Sequence, residues 1–127
     1  MKELLLVGLG GGIGAMTRYL LGSWVTHQSP EWKFPLGTFA VNVLGCLIAG
    51  ILAGLVETYK VFSEDARLFL FVGVLGGFTT FSAFGLETVN LLRRQETGIA
   101  AGYVVLSVLC GIGCLWLGMQ AARLTSR

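Results

Sequence analysis

Near the centre of the third apolar stretch the chain reads Gly76-Gly77-Phe78-Thr79-Thr80-Phe81-Ser82-Ala83-Phe84-Gly85, with Gly73 just upstream. Paired glycines and paired threonines stand where a membrane-crossing helix most needs helix formers, so the run predicts a break in that helix, the alternative being an unbroken helix whose glycines only pack closely. Unwound backbone at that depth is tolerated only where it is buried in protein or faces a cavity. Freed carbonyls there can coordinate a cation, and freed amides an anion. Phe81 and Phe84, three residues apart, share a helix face. Such a pair is ordinary packing, or, because an aromatic ring has a positive edge, a way to hold a small anion without a formal charge. Asn42, in the second stretch, carries two donors and an acceptor that need partners in a dry place. Thr38 is four residues earlier on the same face. Asn42 reads equally as glue between helices or as a ligand contact. Glu87 must be paired, protonated or wet, and can cap a helix, carry protons or meet an ion. Arg18 either ties its helix to a loop by snorkelling or attracts anions.

The elements that must position these residues follow from composition. Of 127 residues 54% are hydrophobic and only 13% charged, against about 25% charged in a soluble domain, so a wet surface cannot be built from them. Four stretches, 4–25, 36–56, 67–92 and 99–122, reach the roughly 20 residues a spanning helix needs. The expectation is an all-α integral membrane protein, one domain over residues 1–127, with four transmembrane helices and the third broken mid-membrane. The first stretch begins like a secretory signal at Lys2, but its apolar run continues to Val25 and is read as a retained span. Trp24 and Trp32 flank the first connection, at headgroup depth. The connections are too short for a catalytic domain, and the chain is read as a non-enzyme.

Several classes drop out. A net charge of +2, scattered along the chain, gives no basic face for nucleic acid. Cys46, Cys110 and Cys114 lie inside apolar stretches without disulfide or zinc spacing, and are read as small packing residues. Leu4 to Val7 followed by Gly10, Gly12 and Ala15, with Glu31 downstream, imitates a dinucleotide fingerprint. No strands or solvated crossover helices follow it, so nucleotide binding is excluded.

Charge also bears on orientation. Four spans put both termini on one side, with Lys2, Lys60, Arg67, Arg123 and Arg127; the other side has Lys33, Arg93 and Arg94, joined by Arg18 if it snorkels. Because a Lys and Arg excess selects the cytoplasmic face, so even a split suits insertion in both orientations, and four short helices alone hardly enclose a conduit. An antiparallel, dual-topology homodimer is expected, the alternative being that one orientation wins by a narrow margin. The Gly-x-x-x-Gly pairs Gly8/Gly12, Gly10/Gly14, Gly50/Gly54 and Gly98/Gly102 are expected to mark close helix contacts.

The run Gly76 to Phe84, with Gly37-Thr38-Phe39-Ala40-Val41-Asn42 and the glycine-rich segment from Gly10 to Arg18, resembles the CrcB or Fluc fluoride channels across all four spans. The resemblance implies passive fluoride efflux through a fluoride-selective pore in the inner (plasma) membrane, protecting the cell from fluoride. It also implies an antiparallel homodimer with two pores and a sodium ion held at its centre by the carbonyls of Gly76 and Thr79. Phe81 and Phe84 would present ring edges to fluoride, and Asn42 would hydrogen-bond it. Thr38 would sit near a pore mouth, Tyr103 and Ser107 on a polar track, and Glu87 beside the pathway. Ala83 and Gly85 depart from the family's usual hydroxyls. The rival readings are a small multidrug-type, proton-coupled exporter using Glu87, although the first span has no acid beyond Glu3, and a structural membrane subunit that conducts nothing.

Overall fold

The computed structural model describes residues 1–126, and the described secondary structure is entirely helical. Helix α1 spans Lys2–Gln28 and α2 Leu36–Tyr59. A third rod starts as α3 (Glu64–Arg67), continues through a π-helical stretch, Leu68–Leu75, and one turn, α4 (Gly76–Phe78), and resumes as α5 (Phe81–Arg93). Helix α6 spans Thr97–Leu124. The four rods are 27, 24, 30 and 28 residues long and apolar enough to cross a bilayer. They make this a multi-pass membrane protein.

Each rod is longer than the apolar stretch that foretold it: 4–25 becomes Lys2–Gln28, and 67–92 becomes Glu64–Arg93. At one end of the bundle the charged end turns find partners on neighbouring rods, Lys2 pairing with Asp65 at 2.6 Å and Arg123 with Glu57 at 2.7 Å. At the other end Lys33, in the connection between α1 and α2, pairs at 2.5 Å with Glu96, in the connection between α5 and α6. Arg127, counted above on the side of the termini, lies outside the described residues.

Two close approaches build the bundle. A Cβ on Gly14 of α1 would strike the backbone of Val74 and lie 2.8 Å from the Phe78 nitrogen, so α1 lies directly on the third rod. A Cβ on Gly50 would strike the Leu115 backbone, and one on Gly54 would come within 2.8 Å of the Met119 oxygen. Gly50 thus meets Leu115, and Gly54, four residues on, meets Met119, four residues on, so α2 and α6 run parallel. The pairs Gly10/Gly14 and Gly50/Gly54 are contact faces, as their spacing suggests. The pairs Gly8/Gly12 and Gly98/Gly102 are not contacts within the chain: nothing lies within 4 Å of where their Cβ atoms would be. They look outward because the packed faces of α1 and α6 are on the opposite side of each helix.

Candidate functional site

Between α4 and α5, Thr79 (φ −85°, ψ 154°) and Thr80 (φ −148°, ψ 118°) have extended backbones. Their groups are satisfied by side chains. The Thr80 N–H donates to Asn42 Oδ1 (2.8 Å), Asn42 Nδ2 donates to the Thr80 carbonyl (3.0 Å), and the Thr80 hydroxyl caps α5 by accepting from the Ala83 N–H (3.2 Å). Asn42 is therefore pinned in one orientation, with its second Nδ2 hydrogen left over. Of the two readings of Asn42 made from the sequence, the structure shows the bond between α2 and the third rod.

The same diversion frees two carbonyls. The Thr80 and Ala83 N–H groups stand four residues beyond Gly76 and Thr79 and would close helical bonds onto their oxygens, but both donate to side chains instead. Gly76 and Thr79 also share a pocket of about 270 Å³. No cluster of His, Cys, Asp and Glu suited to a metal exists among the described residues. Bare carbonyl oxygens fit a hard monovalent cation, so these two are the residues that can hold one.

On the other side of Thr79, a pocket of about 280 Å³ is lined by Asn42, Thr80, Phe81, Phe84 and Ser107 without any charged side chain. The Phe81 and Phe84 rings lie 5.6 Å apart at 41°. Phe84 is partly buried, whereas Phe81 is 83% exposed on the single chain. The Ser107 Oγ is buried without a hydrogen-bond partner, a deficit of about 1–3 kcal/mol unless something polar enters.

One turn along α6 from Ser107, Tyr103 is fully buried and packs on Phe84 at 5.0 Å. Its hydroxyl donates to Glu87 Oε2 (2.7 Å), and the Thr38 hydroxyl donates to Oε1 (2.6 Å). The carboxylate is thus held from α2 and α6 at once. Thr38 shares a helix face with Asn42, as its spacing predicts, but it serves Glu87 rather than the Asn42 site. Replacing Tyr103 with Phe removes one of these donors and leaves a partly buried carboxylate oxygen unmatched. The expected loss is about 1–3 kcal/mol of stability, read as a lower midpoint of thermal unfolding in detergent.

Four participants take places that the sequence did not assign. Arg18 ties its helix to the third rod rather than to a loop: its Nε donates to the Gly77 carbonyl (3.0 Å), and it lines a pocket of about 520 Å³ that extends to Thr38 and Thr80. Cys46 packs beneath Gly111 as a small residue should, yet it also lines both smaller pockets beside Thr79. Phe34 sets its ring against Tyr103 at 5.2 Å and 76°, and Lys33 beside it reaches Glu96. Only the lone basic residue in the first connection hinted at the last of these.

Fold and site together define a small four-rod membrane protein whose interior carries a track of neutral donors and aromatic rings. The comparisons with known proteins agree: residues 5–119 match the family described as "CrcB-like protein, Camphor Resistance (CrcB)", and the chain belongs to that family. A relative from Methylobacillus flagellatus, named "Fluoride-specific ion channel FluC", is 50% identical over 98% of each chain. Relatives of the same name from Novosphingobium aromaticivorans and Agrobacterium fabrum are 48% and 42% identical, each alignment covering 97% of this chain and 98% of the relative.

Proposed function

We propose that this protein is a fluoride-selective channel of a plasma membrane, the inner membrane in bacteria, that lets fluoride leave the cell passively and so protects it from fluoride. The observation that carries this reading is the uncharged pocket in which the pinned Asn42 amide, two phenylalanine rings and the orphaned Ser107 hydroxyl converge. A small anion losing its hydration needs replacement donors, and neutral donors supply them without the deep binding that a buried cation would impose. The amide supplies one N–H, Ser107 an O–H, and Phe81 and Phe84 their ring edges. From Ser107 the track passes Tyr103 and leads to Glu87 and Thr38. The α5 N-terminus, opening at Phe81, adds the positive end of a helix dipole. Hydrogen fluoride crosses lipid as a neutral acid and ionises inside, and a negative interior drives each anion outward by about 2.3 kcal/mol per 100 mV. Conduction down that gradient needs no chemical step.

The finer architecture belongs to the same proposal. The third span is broken mid-membrane at Thr79 and Thr80, and two copies pair antiparallel to form two pores. Support comes from the exposed Phe81 ring and the outward-facing glycines Gly8, Gly12, Gly98 and Gly102, which let a second copy approach closely. Gly76 and Thr79 hold sodium through their carbonyls, and the ion supplies a fixed positive charge between the copies. The exporter reading loses its support, because both Glu87 oxygens already accept hydrogen bonds.

The test is efflux from liposomes loaded with fluoride, followed with a fluoride electrode beside chloride-loaded vesicles. Fast fluoride loss with chloride retained is expected; fluoride retained by well-folded protein would sink the reading. Replacing Phe81 with Ile keeps an apolar side chain and removes the ring edge. Efflux is expected to fall about tenfold or more, since about 1.4 kcal/mol on the barrier gives that factor. An unchanged rate would take Phe81 out of the pathway.

A further inference from the structure

The polar track ends at Thr38, which was expected to sit near a pore mouth. Beneath the connection between α1 and α2 lies a pocket of about 210 Å³ whose inner wall is Thr38 and Glu87, and whose only charged side chains are Glu87 and Lys33. Glu87 accepts from Tyr103, and Tyr103 is one turn from Ser107 in the uncharged pocket. The track therefore emerges here. The connection is docked over this opening at two points: Phe34 against Tyr103, and Lys33 Nζ against Glu96 Oε1.

An anion leaving the track faces the Glu87 carboxylate, whose oxygens accept from the neutral donors Thr38 and Tyr103. Lys33 is the one cation that lines the opening, and Glu96, which adjoins it without lining the pocket, draws its ammonium aside. The Lys33 side chain is 66% exposed, and exposed pairs of this kind contribute little to stability. What these two charges do control is the potential at the opening, because a field of fixed charge changes the local concentration of a small ion and its rate of entry. Phe34 holds the backbone in place from the adjacent position, so the charges can change without undocking the connection.

We propose that Lys33 is a positioning residue for the ion, concentrating fluoride where the track opens beneath the α1–α2 connection, and that Glu96 attenuates it by pairing. The proposal rests on the channel reading. The two residues then act with opposite sign: Lys33→Gln leaves the opening more negative, Glu96→Gln frees the ammonium, and the double variant restores the balance. A unit charge about 10 Å from an ion in water changes its local concentration about twofold, and the effect disappears in strong salt, where the screening length falls to about 3 Å at 1 M.

The experiment uses the full-length protein in liposomes, with fluoride efflux measured at about 10 mM and about 1 M ionic strength, set by potassium glutamate. At low ionic strength Lys33→Gln is expected to slow efflux about twofold and Glu96→Gln to speed it about twofold, with the double variant close to the unmodified protein. At high ionic strength all four should coincide. Equal rates for all four at low ionic strength would overturn the proposal. So would a Lys33→Gln defect that persists in high salt, because that is the mark of a damaged connection rather than a lost field. An absence of fluoride efflux from the unmodified protein would overturn the channel reading itself and this proposal with it, which separates the two failures.

Discussion

Asn42→Asp is expected to reduce fluoride efflux about a hundredfold or more while leaving a folded protein. The substitution is nearly isosteric, so one carboxylate oxygen can still accept from the Thr80 N–H as Oδ1 does now at 2.8 Å. The other oxygen replaces Nδ2, which at present donates to the Thr80 carbonyl at 3.0 Å. An acceptor then faces an acceptor, and the donor left over for an anion is gone. A negative charge is also placed on the wall of the uncharged pocket. Two like charges about 4 Å apart repel by about 4 kcal/mol at an effective dielectric near 20, and each 1.36 kcal/mol of barrier is tenfold in rate. The measurement is initial efflux from liposomes, with elution in detergent confirming the folded state. Unimpaired flux through Asn42→Asp would remove Asn42 from the pathway and leave it as interhelical glue alone.

Much of this organisation is local and therefore readable. Four rods follow from four apolar stretches, and within the run short of helix formers the backbone is extended at Thr79 and Thr80, while Gly76–Phe78 stays helical. What the sequence withheld lies across helices. Nothing in spacing says that Asn42 bonds Thr80, 38 residues away, or that Thr38 and Tyr103 converge on Glu87. Those pairings depend on how deeply each helix sits against its neighbours, which the glycines fix sterically. Spacing alone could not separate the two kinds of glycine pair either. Gly10/Gly14 and Gly8/Gly12 have the same period, yet only the first lies on the packed face of α1, because two positions along a helix rotate the side chain by more than half a turn. Arg18 is a related case. A cation in a span has few solutions, and the one adopted, a bond to the Gly77 carbonyl, requires knowing that α1 rests on α4.

The largest structural effect is expected from Gly50→Ala. In an ordinary helix interior Gly→Ala stabilises by about 0.5–1 kcal/mol, so the sign here depends on what the new methyl meets. At Gly50 it meets the oxygen, carbonyl carbon and Cα of Leu115, all main-chain atoms of α6, and none can rotate away. Helix α2 must move off α6, and this is the closely packed pair that carries Asn42 and Thr38 on one side and Tyr103 and Ser107 on the other. Lipid offers no hydrophobic penalty for separating them, since association rests on packing and hydrogen bonds, so nothing else restores the contact. A loss of several kcal/mol, comparable to overpacking a core at its worst, is expected to leave little folded protein on size-exclusion in detergent. Gly22→Ala is the internal comparison: its methyl would lie 3.8 Å from the Val41 side chain, an ordinary contact, and its thermal midpoint is expected to hold or rise. A Gly50→Ala protein as stable as Gly22→Ala would mean that α2 and α6 do not pack at this distance, and the convergence of Thr38 and Tyr103 on Glu87 would have to be rebuilt from a different register.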